Sequence, residues 1–337
     1  MRTSDFDYEL PRDLIAQRPV EPRDAARLLL VNRGAGNLAH HHVRDLPSLL
    51  RPGDLLVLND TRVMAARLLG VRSDTGGRVE LLLLREREDG AWSALVRPGR
   101  AAAPGREFRL DAEDGPLTAT VRDREEDTAT VTFDRPIDPA SIGAVPLPPY
   151  IHDYGGDPDR YQTIYARDAR SAAAPTAGLH FTPDLFARLD AAGVEHAFLT
   201  LEVGAGTFRP VRTEDPAAHV LPPERFRLPP ATAGAIANAR AEGRRVVATG
   251  TTVVRTLEHA LGGTEVDPDG ETDLFIRPGY TFKVVDALLT NFHLPRSTLL
   301  MLVSAFAGHE LIREAYAEAV RERYRFYSFG DAMLILP

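Results

Sequence analysis

The chain has no cysteine, which excludes disulfides, a thiolate nucleophile, iron–sulfur clusters and cysteine-ligated zinc together. Lys283 is its one lysine and Trp92 its one tryptophan, so almost every fixed positive charge is an arginine, whose planar fork suits phosphate and carboxylate. No apolar run approaches a membrane span, and MRTSDFDYELPRD lacks the basic-then-apolar order of a secretion signal. A cytoplasmic setting is expected. There is no excess of positive charge either: 40 Lys+Arg against 48 Asp+Glu leave −8, which argues against a protein that coats nucleic acid through its whole surface. A local arginine patch stays compatible with that balance, because its field is set by near neighbours rather than by net charge.

What is present is enough apolar residue, 44% of 337, for two domains with a core each. From Arg67 to Phe133 the pattern is RLLGVR, RVELLLLRE, AWSALVRP, EFRL, LTATVRD and TATVTF, punctuated by Gly76-Gly77, Asp89-Gly90, Pro98-Gly99 and Asp114-Gly115. Short strands at this spacing, without an amphipathic helix between them, predict a small antiparallel β-barrel. The Pro-rich PLPPYI at Pro146–Ile151 marks its end. Elsewhere the chain alternates. Leu185–Ala192, Ala231–Glu242, Val253–Leu261 and Glu310–Arg325 read as helices, Glu195–Val203 and Arg244–Thr249 as strands, and Leu299–Phe306 as buried and mixed. The expected architecture is an α/β main domain with a mixed sheet, residues 1–66 and 147–337, interrupted in sequence by an inserted barrel over 67–146.

Three polar islands end apolar runs, where α/β proteins present catalytic groups on loops: SAAAPTAGLHFT at Ser171–Thr182, LTLEVGAGTFRPV at Leu199–Val211, and Asn291-Phe292-His293. His180 and His293 each sit alone in apolar surroundings, a context in which imidazole more often serves structure than catalysis. Gly204-Ala205-Gly206-Thr207 would let backbone approach a ligand, or form an unliganded turn, and lacks the third glycine of a dinucleotide fingerprint. RRVVATG followed by TTVVRTLEHAL predicts strand, turn and helix, with Gly250, Thr251 and Thr252 forming either an anion site or an ordinary threonine N-cap. Asn59-Asp60-Thr61-Arg62 reads as an Asx turn or as a source of Asp60 and Arg62 for a site. His40-His41-His42 sits in an extended segment whose successive side chains diverge, so no metal site is assigned. Arg209, Arg212, Arg277 and Arg296 flank the islands as phosphate candidates, whereas Arg321, Arg323 and Arg325 read as a solvated face of the last helix.

FDYELPRDLIAQRP from Phe6, LVLNDTRVMAARL at Leu56–Leu68, PLPPYI before DRYQTIYA, GTTVVRTLE at Gly250–Glu258 and FYSFGDAMLI at Phe326–Ile335 accompany these islands in order. Together they closely resemble the S-adenosylmethionine:tRNA ribosyltransferase-isomerase family of queuosine biosynthesis, nearly end to end. The resemblance implies transfer and isomerisation of the ribosyl group of S-adenosylmethionine onto 7-aminomethyl-7-deazaguanine at the tRNA wobble position, giving epoxyqueuosine-tRNA, adenine and methionine. S-adenosylmethionine is then a consumed substrate rather than a bound cofactor, no metal or redox cofactor is required, and a monomer is expected. On this reading His180 is the leading base, with His293 or Glu202 protonating or orienting adenine. Gly204, Gly206, Thr207, Gly250, Thr251 and Thr252 would hold the sulfonium substrate. Arg255, Arg277 and Arg296 would meet carboxylate or phosphate, and Asp60, Arg62, Thr176, Gly178 and Asn291 complete the expected binding set. The chain departs from the family pattern at Glu202, where LTLHVG is usual, at Pro222-Pro223, where a histidine and a serine are usual, and near Arg170, where glycine is usual.

Overall fold

The computed structural model describes residues 1–112, 115–125, 128–152, 154–204, 211, 213–263 and 265–337. These fall into two compact units, one of Met1–Thr61, Pro148–Arg167 and Ala174–Pro337, the other of Arg62–Leu147 and Asp168–Ala173. In chain order the strands begin with β1 (Arg27–Asn32), β2 (Asn37–His42), β3 (Leu55–Asn59) and β4 (Arg62–Val63). The next six are β5 (Arg67–Arg72), β6 (Arg78–Glu86), β7 (Trp92–Arg97), β8 (Glu107–Ala112), β9 (Gly115–Glu125) and β10 (Thr128–Phe133). Then follow β11 (Ala169–Ser171), β12 (Glu195–Leu201), β13 (Glu224–Arg227), β14 (Val246–Thr249), β15 (Asp269–Thr272), β16 (Ala287–Asn291) and β17 (Ala332–Leu336). The helices are α1 (Leu46–Leu49), α2 (Pro139–Ile142), α3 (Pro183–Ala191), α4 (Pro230–Ala241), α5 (Thr251–Ala260), α6 (Thr298–Ala307) and α7 (His309–Arg321).

In the second unit β5 to β10 close into an antiparallel barrel, in the order β10-β7-β6-β5-β8-β9. The alternation that predicted these strands is the alternation that fills the barrel: Val79, Leu81 and Leu83 of β6 are buried with Phe108, Leu117, Val121 and Val131 from other strands. Closure needs one close approach. A Cβ on Gly70 would lie 2.6 Å from the Arg109 carbonyl oxygen of the neighbouring β8. Beyond the barrel, β4 pairs with β11, which brings Asp168–Ala173 into this unit although the sequence places that segment in the main domain.

The first unit is built on a nine-stranded sheet ordered β15-β13-β12-β3-β14-β16-β17-β1-β2. Its centre, β12-β3-β14-β16, is parallel, and β17 runs antiparallel to β16. Every residue of β3, LLVLN, is buried, the unbroken apolar run of a parallel strand covered on both faces. Leu56 and Leu58 pack there with Val247, Leu289 and, from α3, Leu185 and Leu189. In this unit α3 and α6 start on side-chain caps: Thr182 Oγ1 accepts from Leu185 N–H at 3.1 Å, and Ser297 Oγ from Leu300 N–H at 3.2 Å.

Two expectations are corrected. Leu299–Phe306 belongs to a regular helix, α6, buried on most faces. The terminal helix ends at Arg321 rather than Arg325, because Arg323 adopts φ +55° and Tyr324 N–H turns back to the Ala319 carbonyl at 2.8 Å, burying the Tyr324 ring completely. Of the three arginines expected on that helix, only Arg321 lies on it. Among the described residues no helix is long and apolar enough to cross a membrane.

Candidate active site

Because β12, β3, β14 and β16 are parallel, their carboxyl ends share one edge of the sheet, the edge at which open α/β sheets bind ligands. The chain leaves three of these ends, those of β12, β14 and β16, as Val203, Gly250 and Asn291-Phe292-His293, and all of them line one cleft. Pro175-Thr176-Ala177 and Tyr150 close its sides, while Tyr327 and Ser328, just before the antiparallel β17, return to the same edge. The enclosed part is about 50 Å³, and a single water needs about 10–15 Å³ on that measure. The enclosed part therefore has room for a few atoms, and the cleft is open on one side.

Gly250 turns the chain from β14 into α5 at φ +91°, a conformation that glycine adopts without Cβ strain. It is the N-cap itself, and among the described residues no side chain caps the helix, so the threonine-cap reading is not what forms. The first-turn N–H groups, which have no partner within a helix, therefore open toward the cleft beside Thr251 and Thr252. That is anion-binding geometry.

Asn291, at the end of the neighbouring strand β16, is a hub of the cleft lining. Its Oδ1 accepts from Thr176 Oγ1 at 2.8 Å, which orients the amide; its Nδ2 donates to the Tyr327 carbonyl at 3.2 Å and faces His180 Nε2 at 3.4 Å. His180 thus presents a lone pair at Nε2. It stands behind Asn291 rather than in the cleft lining, on a second, smaller pocket with Arg23 and Arg160. Burial pushes its pKa down to about 4, opposed by a hydrogen bond to the Arg23 backbone.

His293 does line the cleft, but its nitrogens are engaged. Tyr316 Oη accepts the His293 backbone N–H at 2.9 Å, which leaves the phenolic proton for Nδ1 at 3.2 Å. Nε2 consequently carries the imidazole proton, directed at Thr290 Oγ1 at 3.1 Å. Burial pushes this pKa down to about 3. At neutral pH both rings are uncharged, His180 with its Nε2 lone pair facing only the long Asn291 contact and His293 with both nitrogens engaged.

Several expected site residues are committed elsewhere. Asn59 makes the Asx turn to Thr61 N–H at 3.1 Å and bonds both Leu201 N–H and the Leu201 carbonyl, so this segment ties β3 to β12. Asp60 is buried and accepts from Thr200 Oγ1 at 2.7 Å, and Arg62 lies in the other unit. Glu202 lies outside the cleft lining: Val203 faces the cleft, and neighbours on an extended segment point oppositely. Arg255 is corrected as well. Its guanidinium is buried, ion-paired with Glu224 and bonded to the Leu274 and Thr272 carbonyls, and so has no free face for a ligand. The other oxygen of Glu224 receives Gly204 N–H at 2.7 Å. Arg277 is exposed outside the cleft lining, and Arg296 faces Glu214 at 3.3 Å. Gly178 is buried under the Tyr165 hydroxyl, which leaves no space for a Cβ. Gly206, Thr207, Arg209 and Arg212 lie outside the described residues.

A family model described as queuosine biosynthesis protein matches residues 3–335. The chain belongs to that family. It is similar to the S-adenosylmethionine:tRNA ribosyltransferase-isomerase of Symbiobacterium thermophilum, 55% identical over 345 residues and covering 100% of both chains. The protein of the same name from Thermus thermophilus is 56% identical over 343 residues, covering 98% of each. A crystal structure of S-adenosylmethionine tRNA ribosyltransferase from Thermotoga maritima matches 99% of this chain and 100% of its own, at 43% identity and TM-score 0.59. For this queuosine-family chain, residue-type reasoning missed Tyr150, Thr290, Tyr316, Tyr327 and Ser328. Tyr150, Tyr327 and Ser328 lie within quoted islands, PLPPYI and FYSFGDAMLI, yet carry no signal of their own before the fold brings them to the cleft.

Proposed function

We propose that this protein is an S-adenosylmethionine:tRNA ribosyltransferase-isomerase. It transfers and isomerises the ribosyl group of S-adenosylmethionine onto 7-aminomethyl-7-deazaguanine at the tRNA wobble position, and releases adenine and methionine. The observation that carries the reading is a cleft lined by the α5 N-terminus and by Asn291, with His180 behind Asn291, in a chain of this family from end to end. In this reading the α5 N-terminus, with Thr251 and Thr252, holds the methionine carboxylate.

His180 takes the proton from the ribose carbon beside the sulfonium, whose charge stabilises the carbanion. The resulting imidazolium, of low pKa, then supplies that proton to leaving adenine. Transfer requires Asn291 to release His180 Nε2, and that 3.4 Å contact is the longest Asn291 makes in the network. His293, whose Nδ1 is occupied, orients rather than protonates. S-adenosylmethionine is consumed, the reading assigns no step to a metal or redox cofactor, and the setting is cytoplasmic.

Incubation with labelled S-adenosylmethionine and tRNA carrying the aminomethyl base is expected to release adenine and methionine only when that tRNA is present. Methylated tRNA without free adenine would overturn the reading. His180→Ala is expected to lower turnover by about 10²–10⁴-fold.

A further inference from the structure

We infer that the small pocket bounded by Arg23 and Arg160, which shares Ser328 with the cleft, is a phosphate site for the tRNA backbone next to the reacting nucleotide. The inference rests on the proposed tRNA substrate and names where its backbone is held.

The pocket is shallow, its enclosed part about 10 Å³, no more than one water, so a phosphate would lie across its mouth; Ser328 lines both it and the cleft, so a ligand group at one is a neighbour of a ligand group at the other. Arg23 is rigid. Its Nη1 donates to the Gln162 carbonyl at 2.6 Å and the Leu179 carbonyl at 3.4 Å, and its Nη2 to the Asp159 carbonyl at 3.2 Å, contacts that fix the guanidinium without neutralising it and, among the described residues, leave the Nε side of the fork for a ligand. Arg160 touches the Val20 carbonyl at 3.3 Å and pairs with Glu21, whose side chain is 70% exposed. Burial first, and then the Arg160 charge, pull the Arg23 pKa down, and Arg23 and Arg325 also press on His180. The carboxylates set against these cations are Glu21 and Asp157.

Like charges brought together at a pocket cost free energy unless an anion joins them. A surface carboxylate such as Glu21 is a weak and displaceable partner, whereas phosphate accepts from two forks at once. The methionine carboxylate already has a place at the α5 end of the cleft, so the anion here is assigned to RNA. A base held in the cleft has backbone phosphates on either side of its own nucleotide, which supplies the ligand at short range.

The test is equilibrium binding of precursor tRNA across a salt series, with S-adenosylmethionine binding followed separately by calorimetry. Arg160→Ala is expected to weaken tRNA binding by about tenfold and reduce the salt slope by about one, leaving S-adenosylmethionine affinity unchanged. Glu21→Gln, which removes the competing carboxylate, is expected to tighten tRNA binding. Wild-type affinity and slope in Arg160→Ala, or a loss confined to S-adenosylmethionine, would overturn the assignment. Because binding is read without turnover, failure here is distinct from absence of adenine release by the wild-type enzyme, which would instead sink the reaction.

Discussion

His293→Gln tests whether the cleft imidazole is buried and neutral, through the pH dependence of stability. The folded pKa is about 3, against about 6.5 for an unfolded histidine. A depressed value means that the unfolded chain takes up the proton first as pH falls. The stability that His293 contributes is therefore present above about pH 6.5 and is lost progressively down to about pH 3. Between pH 7.5 and 5.0 the linkage integral for this one ring is about 2 kcal/mol. His180, with a folded pKa of about 4, adds a loss of similar size, and Asp331, raised by burial, works in the opposite sense. Both are common to wild type and variant and cancel in the difference. Urea unfolding should be followed by helix circular dichroism, because α3 to α7 lie in the first unit whereas Trp92 reports on the barrel. Wild type is expected to lose about 2 kcal/mol more than His293→Gln between the two pH values. Equal losses would refute the reasoning, since they would mean that His293 titrates alike in the folded and unfolded chains.

Arg255→Ala strands the buried Glu224 carboxylate and is expected to cost about 3–5 kcal/mol, read as a lowered urea midpoint; a near-neutral change would mean that the pair is solvated. Thr252→Val is expected to weaken S-adenosylmethionine binding about 3- to 10-fold with tRNA binding unchanged, on loss of one hydrogen-bonding group; calorimetry showing the opposite order would move the α5 anion site to RNA. Gly178→Ala forces the buried Tyr165 hydroxyl aside and is expected to destabilise by about 1–3 kcal/mol, and an unchanged melting temperature would show that the packing yields freely.

The elements most legible in sequence are those whose pattern is local. Barrel strands such as β6, RVELLLLRE, show their buried face as simple alternation, so their limits can be read before the fold is known. The last helix could not be bounded that way. Its acidic and basic residues continue past Arg321, and what stops it is Tyr324, drawn down to pack against Phe292 and to meet His40 Nδ1 at 2.8 Å, from residues far away in the chain. Arg255 misled for the same reason: an arginine on a helix following a glycine turn looks available for a ligand until Glu224, 31 residues earlier, is placed against it.

The two histidines make the limit sharper. In sequence they are alike, each a single imidazole at the end of an apolar run, and burial lowers both pKa values by the same physics. What separates them is which nitrogen keeps the proton, and that is decided by partners no local pattern reveals. Tyr316 can give its proton to His293 Nδ1 because its oxygen is already satisfied by the His293 backbone N–H, a coupling that exists only once α7 packs under the loop after β16. His180 faces an amide whose orientation is set by Thr176, so its Nε2 is left as an acceptor. A base needs a lone pair as well as a suitable pKa, and on that criterion the base proposed above is His180 even though His293 is the ring that lines the cleft.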